Sequence, residues 1–227
     1  MSGKYMAYVG SYSYTGKAKG ITVFDVDVEN GMFKERCEIE VDNSSYVIAS
    51  SDGKTLYSIA DEGVVSFRIL PNGSLARLNS APIRGMRGCH LCTDEEDKYV
   101  FVSGYHDGKT TVLSLNPDGS VGKIVDGVFD RGYGSVAERN FRPHVTCTRR
   151  MPDNRFVLSV DNGIDQVKIY RFNDKEQRLV QVDAIRCELE SAPRHFRYSK
   201  DGKFIYLMYE LKKAIDEIGR ASCRERV

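Results

Sequence analysis

Short runs of apolar and β-branched residues alternate with polar turns along almost the whole chain. Runs of this length, bounded by Gly, Asp and Asn, predict β-strands, and no helical periodicity of more than two turns precedes the C-terminus. The clearest runs are residues 7–9, 20–24, 55–59, 98–102, 155–160 and 203–207. The pattern therefore predicts an all-β fold.

The predicted strands repeat with a period of about 45–55 residues, which is typical of propeller blades. One turn series precedes the most apolar strands, at Asp52-Gly53, Asp97-Lys98, Asp153-Asn154 and Asp201-Gly202. A second series runs in phase with the first, at Asn30-Gly31, Asn72-Gly73 and Asp118-Gly119. Two hairpin turns per repeat predict four strands, and a radially repeated four-stranded antiparallel unit is a propeller blade.

We therefore predict a β-propeller of four-stranded antiparallel blades, with about four to four and a half blades of seven in this chain. The first blade would lack its innermost strand, and three complete blades would follow at 43–84, 87–130 and 143–190. A fifth would begin near Ala192 and supply two strands. Residues 130–142 would be an insertion between blades. An open stack of β-repeats or a sandwich is the alternative.

The C-terminal residues 217–227 break this pattern. They agree at every position with the in-frame translation of a common short-read sequencing adaptor, whereas a natural basic tail is the alternative. The sequence thus predicts a propeller part at 1–216 and a non-native tail at 217–227. Because two sheet edges would then be unpaired, we expect the chain as it stands to be inactive and prone to aggregate.

Composition narrows the classes of partner. The net charge is +1, from 33 basic and 32 acidic side chains, so neither nucleic acid nor a membrane surface is an expected partner. No stretch approaches the roughly 20 apolar residues of a membrane span, and the N-terminus lacks a signal-peptide core. The sequence predicts a cytoplasmic protein, with no obligate protein partner evident.

The six cysteines are sparse and irregularly spaced, which favours free thiols. Cys89 and Cys92 form a CxxC pair, but on a strand positions i and i+3 point to opposite faces. No cluster has the spacing of metal ligands, so neither a metal nor another cofactor is expected.

Histidines concentrate in the segments predicted as innermost strands, which line the channel of a propeller. Three of the four histidines fall there, as His90, His144 and His195. Tyr46, His90 and His195 also lie at the same offset from the strand that follows. A histidine at such a position can instead hydrogen-bond the backbone of the next blade, so a structural role is the alternative for each.

The segment 192–211 resembles the pattern G-P-R-H…P-[DN]-G-K…Y…N-E-L of the lactonase family typified by the seven-bladed 6-phosphogluconolactonases. Further matches are residues 8–12, 88–90 and 160–167, and the resemblance covers residues 5–216. Two positions depart from the family: Thr146 stands where P-H-x-H has its second histidine, and Tyr209 replaces the Asn of N-E-L.

The resemblance implies hydrolysis of 6-phospho-D-glucono-1,5-lactone to 6-phosphogluconate in the pentose phosphate pathway, with a small phosphorylated sugar lactone as partner. This reaction needs a base, a donor for the oxyanion and cations for the phosphate. We predict His195 or His144 as the base or proton shuttle, with Glu210 orienting it, and Arg194 on the phosphate or the carbonyl. The further binding residues predicted are Arg142, Arg139, His90 and Tyr46.

Other interpretations stay open from the sequence. Glu210 and Arg194 could form an ion pair between blades, and Arg139 and Arg142 could be solvated loop charges. The substrate could be a different lactone, such as a muconolactone. A non-catalytic binding scaffold is the other class, but it would expose aromatic side chains on its rim and would need no concentration of His, Arg and Glu in the channel.

Overall fold

A computed structural model describes residues 5–135 and 141–219. Its eighteen strands form five sheets, named blades 1 to 5 in chain order. Blade 1 contains β1 (Tyr5–Gly10), β2 (Gly20–Asp27) and β3 (Met32–Glu40), and blade 2 contains β4 (Val47–Ala49), β5 (Thr55–Ala60), β6 (Gly63–Ile69) and β7 (Leu75–Pro82). Blade 3 contains β8 (His90–Thr93), β9 (Tyr99–Gly104), β10 (Lys109–Leu115) and β11 (Val121–Phe129). Blade 4 contains β12 (Val145–Arg150), β13 (Val157–Asp161), β14 (Gln166–Asn173) and β15 (Arg178–Arg186), and blade 5 contains β16 (Pro193–Tyr198), β17 (Phe204–Tyr209) and β18 (Ile215–Gly219).

Within each blade, every strand pairs antiparallel with the next strand in sequence. The first strand of each blade contacts the first strand of the next, through β1 and β4, β4 and β8, β8 and β12, and β12 and β16. These first strands are therefore the innermost ones, and the sheets are arranged as the blades of a β-propeller.

The all-β propeller is confirmed, but the predicted blade count and strand count are wrong. The structure has five sheets of three or four strands that together cover nearly the whole chain, in place of four to four and a half four-stranded blades of a seven-bladed ring. Blades 1 and 5 each have three strands. The third strand of blade 5 was missed because residues 217–219, set aside as tail, belong to β18 and pair with residues 204–206.

The division into a propeller part and a non-native tail stays a prediction, and residues 220–227 lie outside the described residues. Nothing in the fold supports the expected inactivity of the chain. In the part of the chain that the structure describes, no helix has the length and hydropathy of a membrane span. The cytoplasmic location also stays a prediction.

The turn between the first two strands of blades 2 to 5 has the same backbone conformation each time. Gly53, Asp97, Asn154 and Gly202 occupy this turn with φ of 69°, 51°, 56° and 68°. Only Gly, Asn and Asp adopt this left-handed region at small cost, which explains why the sequence repeats these residue types there.

The hydrophobic core lies between neighbouring blades. Leu91, Val100 and Leu113 of blade 3 are 0% exposed and pack against Tyr57 and Ile59 of blade 2. Burial of each such side chain contributes roughly 1.5–3 kcal/mol. Equivalent clusters join the other neighbouring blades, so packing across the blade interfaces holds the innermost strands at fixed positions around the channel.

Candidate active site

Two groups of polar residues lie on the innermost strands of blades 3 to 5 or at the ends of strands beside them. The first, called the Arg194 group, consists of Arg194, Glu210, Asn162 and His144. Arg194 lies at a β-bulge near the start of β16, and Glu210 directly follows β17. Arg194 Nη1 donates to Glu210 Oε2 over 2.7 Å, and both side chains are partly exposed.

Asn162 connects the other members of the Arg194 group. Its side-chain Nδ2 donates to Glu210 Oε2 over 3.3 Å, and its backbone N–H donates to the carbonyl of His144 over 2.9 Å. Asn162 was not among the predicted site residues. It directly follows β13 of blade 4, and its contact with Glu210 joins blade 4 to blade 5.

His144 is held in one orientation by its neighbours. Its ring stacks on Tyr105, with centroids 4.3 Å apart, and its Nδ1 lies 2.7 Å from the carbonyl of Tyr105. Because a carbonyl only accepts, Nδ1 carries the proton and Nε2 carries the lone pair. Burial lowers the pKa of His144 below its usual value, which keeps the ring neutral near pH 7.

A pair of buried carboxyl groups supports this orientation. Asp161 Oδ1 accepts the backbone N–H groups of His144 and Gly163, at 2.8 and 2.9 Å. Asp130 faces Asp161 from the end of β11 and accepts the hydroxyl of Tyr170 over 2.8 Å. Burial, followed by the hydrogen bond and charge of Asp130, raises the pKa of Asp161 to about 8. Asp161 therefore keeps its proton near neutral pH.

The second group, called the Arg149 group, lies farther along the same strands. It consists of His90 on β8, Cys147 and Arg149 on β12, and His195, Arg197 and Tyr198 on β16. The ring of His90 lies between Tyr46 and His195, with centroids 4.8 and 5.6 Å away. The structure thus brings together the three residues that share one offset in the sequence.

Both histidines of the Arg149 group are neutral near pH 7. Burial, with Arg149 as the next cause, lowers the pKa of His90 well below its usual value. Burial, followed by the charges of Arg194, Arg197 and Arg149, lowers the pKa of His195 to about 4. Arg149 and Arg197 were not among the predicted site residues. The spacing of residues along one strand does not show which residues of other blades lie next to them.

The donor atoms of His90, Cys147 and His195 lie within 4.8 Å of one another, a grouping that the sequence did not indicate. The thiols described are all free. The two thiols of the CxxC pair have different neighbours, as expected for side chains on opposite faces of a strand. Cys89 Sγ lies 3.4 Å from the carbonyl of Val145, whereas Cys92 Sγ lies 4.0 Å from Arg149 Nη1.

The ion pair of Glu210 with Arg194, the alternative left open by the sequence, is present and lies within blade 5. Glu210 contacts Arg194 and Asn162, and no histidine contact supports the predicted orienting role among the residues described. Arg142 donates to the carbonyl of His106 over 3.0 Å and is not part of either group. Arg139 lies outside the described residues.

Thr146, one of the two departures from the family pattern, positions Arg194. Its hydroxyl donates to the carbonyl of Arg194 over 2.7 Å and thereby ties β12 to β16. The other departure, Tyr209, is buried and donates its hydroxyl to Asp216 over 2.8 Å, so it stabilises the β17–β18 turn.

The family profile described as Lactonase, 7-bladed beta-propeller, matches residues 6–222. The chain belongs to this lactonase family. The curated relatives include the 6-phosphogluconolactonase of Bacillus subtilis (strain 168), which is 31% identical over 93% of this chain and 61% of its own length. The 6-phosphogluconolactonase of Formosa agariphila is 27% identical over 90% of this chain and 61% of its own length. The chain thus spans about three fifths of the length of the curated relatives that it matches.

Solved structures agree with this assignment. A crystal structure from Bacteroides fragilis superposes with a TM-score of 0.85 at 30% identity, covering 96% of this chain and 67% of that one. The periplasmic gluconolactonase of Pseudomonas aeruginosa has the same TM-score of 0.85 at 24% identity, covering 94% of this chain and 66% of that one. The second similarity concerns the fold alone.

Proposed function

We propose that this lactonase-family protein hydrolyses a sugar lactone at the Arg194 group, with 6-phospho-D-glucono-1,5-lactone as substrate and 6-phosphogluconate as product. This substrate would place the protein in the pentose phosphate pathway. The observation that carries the proposal is the contiguous set of Arg194, Glu210, Asn162 and His144 on blades 4 and 5. The two relatives named 6-phosphogluconolactonase support the choice of substrate.

Arg194 would bind the lactone carbonyl. The Arg194 side chain is 45% exposed, so it can reach a ligand. Glu210 holds its guanidinium, and Thr146 holds its backbone carbonyl. A cation fixed in this way needs no reorganisation as negative charge develops on the carbonyl oxygen. Glu210 would then act as a positioning residue for Arg194.

His144 would take the proton of the attacking water. Its Nδ1–H is fixed on Tyr105, so Nε2 is the accepting nitrogen, and a base oriented by a third group is the usual arrangement in hydrolases. The water oxygen bonds to the carbonyl carbon, the bond from that carbon to the ring oxygen breaks, and His144 returns the proton to the ring oxygen. The site therefore needs no covalent intermediate.

His195 is the weaker candidate for the base. A pKa of about 4 leaves its lone pair available at pH 7 but makes it a poor proton acceptor, because general bases work best with a pKa near the working pH. Its neutral ring would instead contact the substrate in the channel, together with His90 and Tyr46.

The test is hydrolysis of 6-phosphogluconolactone by the chain, with product followed through 6-phosphogluconate dehydrogenase and the spontaneous rate subtracted. We expect activity above background, and a loss of about 10²–10³ in kcat/KM in Arg194→Ala. The matched control is Arg36→Ala, which removes an arginine paired with Asp25 on the outer strands of blade 1.

Glucono-1,5-lactone without the phosphate is the comparison substrate. Equal or better turnover of the unphosphorylated lactone would reject the phosphorylated substrate while keeping the lactonase. A folded chain that hydrolyses neither lactone would reject the proposed function, and a binding scaffold would then be the better interpretation.

A further inference from the structure

The Arg149 group contains buried hydrogen-bond donors that have no acceptor. Among the side chains that the structure describes, three buried donor atoms lack a partner, namely His90 Nδ1, Arg149 Nε and Tyr198 Oη. All three belong to this group. Buried polar groups are nearly always hydrogen-bonded, so a concentration of unsatisfied donors indicates a missing acceptor.

The protonation of His90 follows from its contact with Arg149. Arg149 Nη2 lies 3.2 Å from His90 Nε2, and a guanidinium can only donate. Nε2 must therefore accept, so the proton of the neutral ring is on Nδ1. His90 is 0% exposed, which makes this Nδ1–H a fully buried donor.

The arginines of this group have no acidic partner within residues 5–135 and 141–219. Arg149 contacts the imidazole of His90 and the thiols of Cys92 and Cys147, and Arg197 donates to the carbonyl of Phe196. The next residue, Arg150, is the contrast, because it lies 3.6 Å from Asp94 and 3.0 Å from Asp174. A partly buried Arg149 and an exposed Arg197, both without carboxylates, attract an anionic ligand.

A metal ion is the other ligand to consider, since His90, Cys147 and His195 have donor atoms close together. The available lone pair of His90 Nε2 already accepts from Arg149, whose charge would lie beside the ion. Two arginines without carboxylates would repel a divalent cation. The charge of the group therefore favours an anion.

We propose that the Arg149 group binds a phosphoryl oxyanion inside the channel, with Arg149 and Arg197 supplying the charge and His90 and Tyr198 supplying neutral donors. A guanidinium and neutral N–H and O–H donors suit the several acceptor oxygens of a phosphoryl group. The phosphoryl group has two possible sources, the phosphate ester of the proposed substrate or free inorganic phosphate.

The first source rests on the proposed function. Arg194 and Arg197 lie three residues apart on β16, which corresponds to about 10 Å along a strand. The β-bulge at Arg194 interrupts the alternation that would otherwise direct these two side chains to opposite faces. A sugar phosphate lying along β16 would then present its carbonyl to Arg194 and its phosphate to Arg149 and Arg197. This arrangement transfers the phosphate role, predicted from the sequence for Arg194, Arg142 and Arg139, to two other arginines.

The test is binding of inorganic phosphate to the full chain by calorimetry at constant ionic strength, with chloride as the reference anion. We expect saturable phosphate binding that weakens by at least about tenfold in Arg149→Gln and in Arg197→Gln. Arg178→Gln, at an exposed position at the start of the outer strand β15, is the matched control and should bind as the wild type does.

Absence of phosphate binding in the wild type, or unchanged binding in both variants, would overturn the proposal. Arg197 is exposed, so its variant keeps the test valid even if Arg149→Gln does not fold. Stoichiometric Zn²⁺ binding that is lost in Cys147→Ser and that leaves no phosphate site would also overturn it.

A competition experiment distinguishes the two sources. If 6-phosphogluconate displaces phosphate and gluconate does not, the site takes the phosphate ester of the sugar. If phosphate and 6-phosphogluconate bind together, the site takes free phosphate and the substrate source is rejected. Neither binding experiment measures turnover. Phosphate binding without lactone hydrolysis would therefore reject the proposed function and leave the phosphate site standing.

Discussion

Arg194 and Arg149 both lie on innermost strands, yet the charges of their two groups are satisfied differently. Arg194 has a carboxylate partner in Glu210, which also accepts from Asn162. Arg149 has a neutral imidazole and a thiol, and three buried donors around it have no acceptor. The charges of the Arg194 group are satisfied within the group, whereas the Arg149 group has buried donors that the proposed phosphoryl ligand would satisfy.

This difference shows that the number of arginines in a channel says little about which of them bind ligands. The pairing of each one decides its role. Arg149 and Arg150 make the same point within a single strand, because alternation along β12 directs them to opposite faces. Arg150 reaches two aspartates, whereas Arg149 reaches none among the residues described.

The largest effect that would separate the two groups is on catalysis. We expect His144→Gln to lower kcat/KM for the lactone by about 10²-fold or more, because a positioned base contributes that much. His195→Gln should lower it by less than about tenfold, since His195 would only contact substrate. A larger loss in His195→Gln than in His144→Gln would show that the base belongs to the Arg149 group.

The second effect concerns stability and compares the two adjacent arginines. Arg150→Gln should lower the free energy of unfolding by about 3 kcal/mol, because it leaves the buried Asp94 without its cation. Arg149→Gln should leave the free energy of unfolding unchanged or raise it when phosphate is absent. Urea unfolding in phosphate-free buffer measures both, and equal losses would contradict the comparison.

The third effect is the pH dependence that comes from the carboxyl pair behind His144. The pKa of Asp161 is raised to about 8 in the folded chain, against an ordinary value near 3.8 when unfolded. Between these values the folded state holds a proton that the unfolded state has released, so this group makes stability fall as pH rises from about 4 to about 8.

Asp161→Asn should remove that dependence. The amide keeps an oxygen for the N–H groups of His144 and Gly163 and cannot ionise. We expect the stability of the variant relative to the wild type to increase by more than about 1 kcal/mol between pH 5 and pH 8. Urea unfolding at both pH values measures this, with Asp183→Asn as control; a difference independent of pH would contradict it.

The smallest effect concerns the ionisation of His195. Because Arg197 and Arg149 help to lower the pKa of His195 to about 4, Arg197→Gln should raise this pKa by up to about one unit. In the wild type this ionisation makes stability fall as pH drops from about 6.5 to about 4. Titration of the imidazole signals by NMR measures the pKa, and an unchanged value in the variant would place Arg197 away from His195.

Much of the fold could be predicted from the sequence, because strand alternation and turn conformation are local properties. The same turn occurs four times, and each time a residue type that tolerates positive φ indicates it in the sequence: Gly53, Asp97, Asn154 and Gly202. The common offset of Tyr46, His90 and His195 likewise indicated a shared position on blades 2, 3 and 5, where the ring of His90 neighbours the other two rings.

The interactions that give the residues their chemistry depended on tertiary structure. Glu210 pairs with Arg194 through a hairpin of blade 5. The residues that support this site come from other blades: Asn162 and His144 from blade 4, and Asp130 from blade 3. The third strand of blade 5 was also decided by pairing, since residues 217–219 were interpreted as tail and pair with residues 204–206.

By itself the sequence determined that the chain would form β-strands, where its turns would lie and which histidines would lie on or next to the innermost strands. These features follow from the conformational preferences and spacing of nearby residues. Only the tertiary structure decided that Arg194 is paired and Arg149 is not. The partners of each arginine come from residues far away in sequence, and whether a charge is satisfied depends on the atoms that packing places around it.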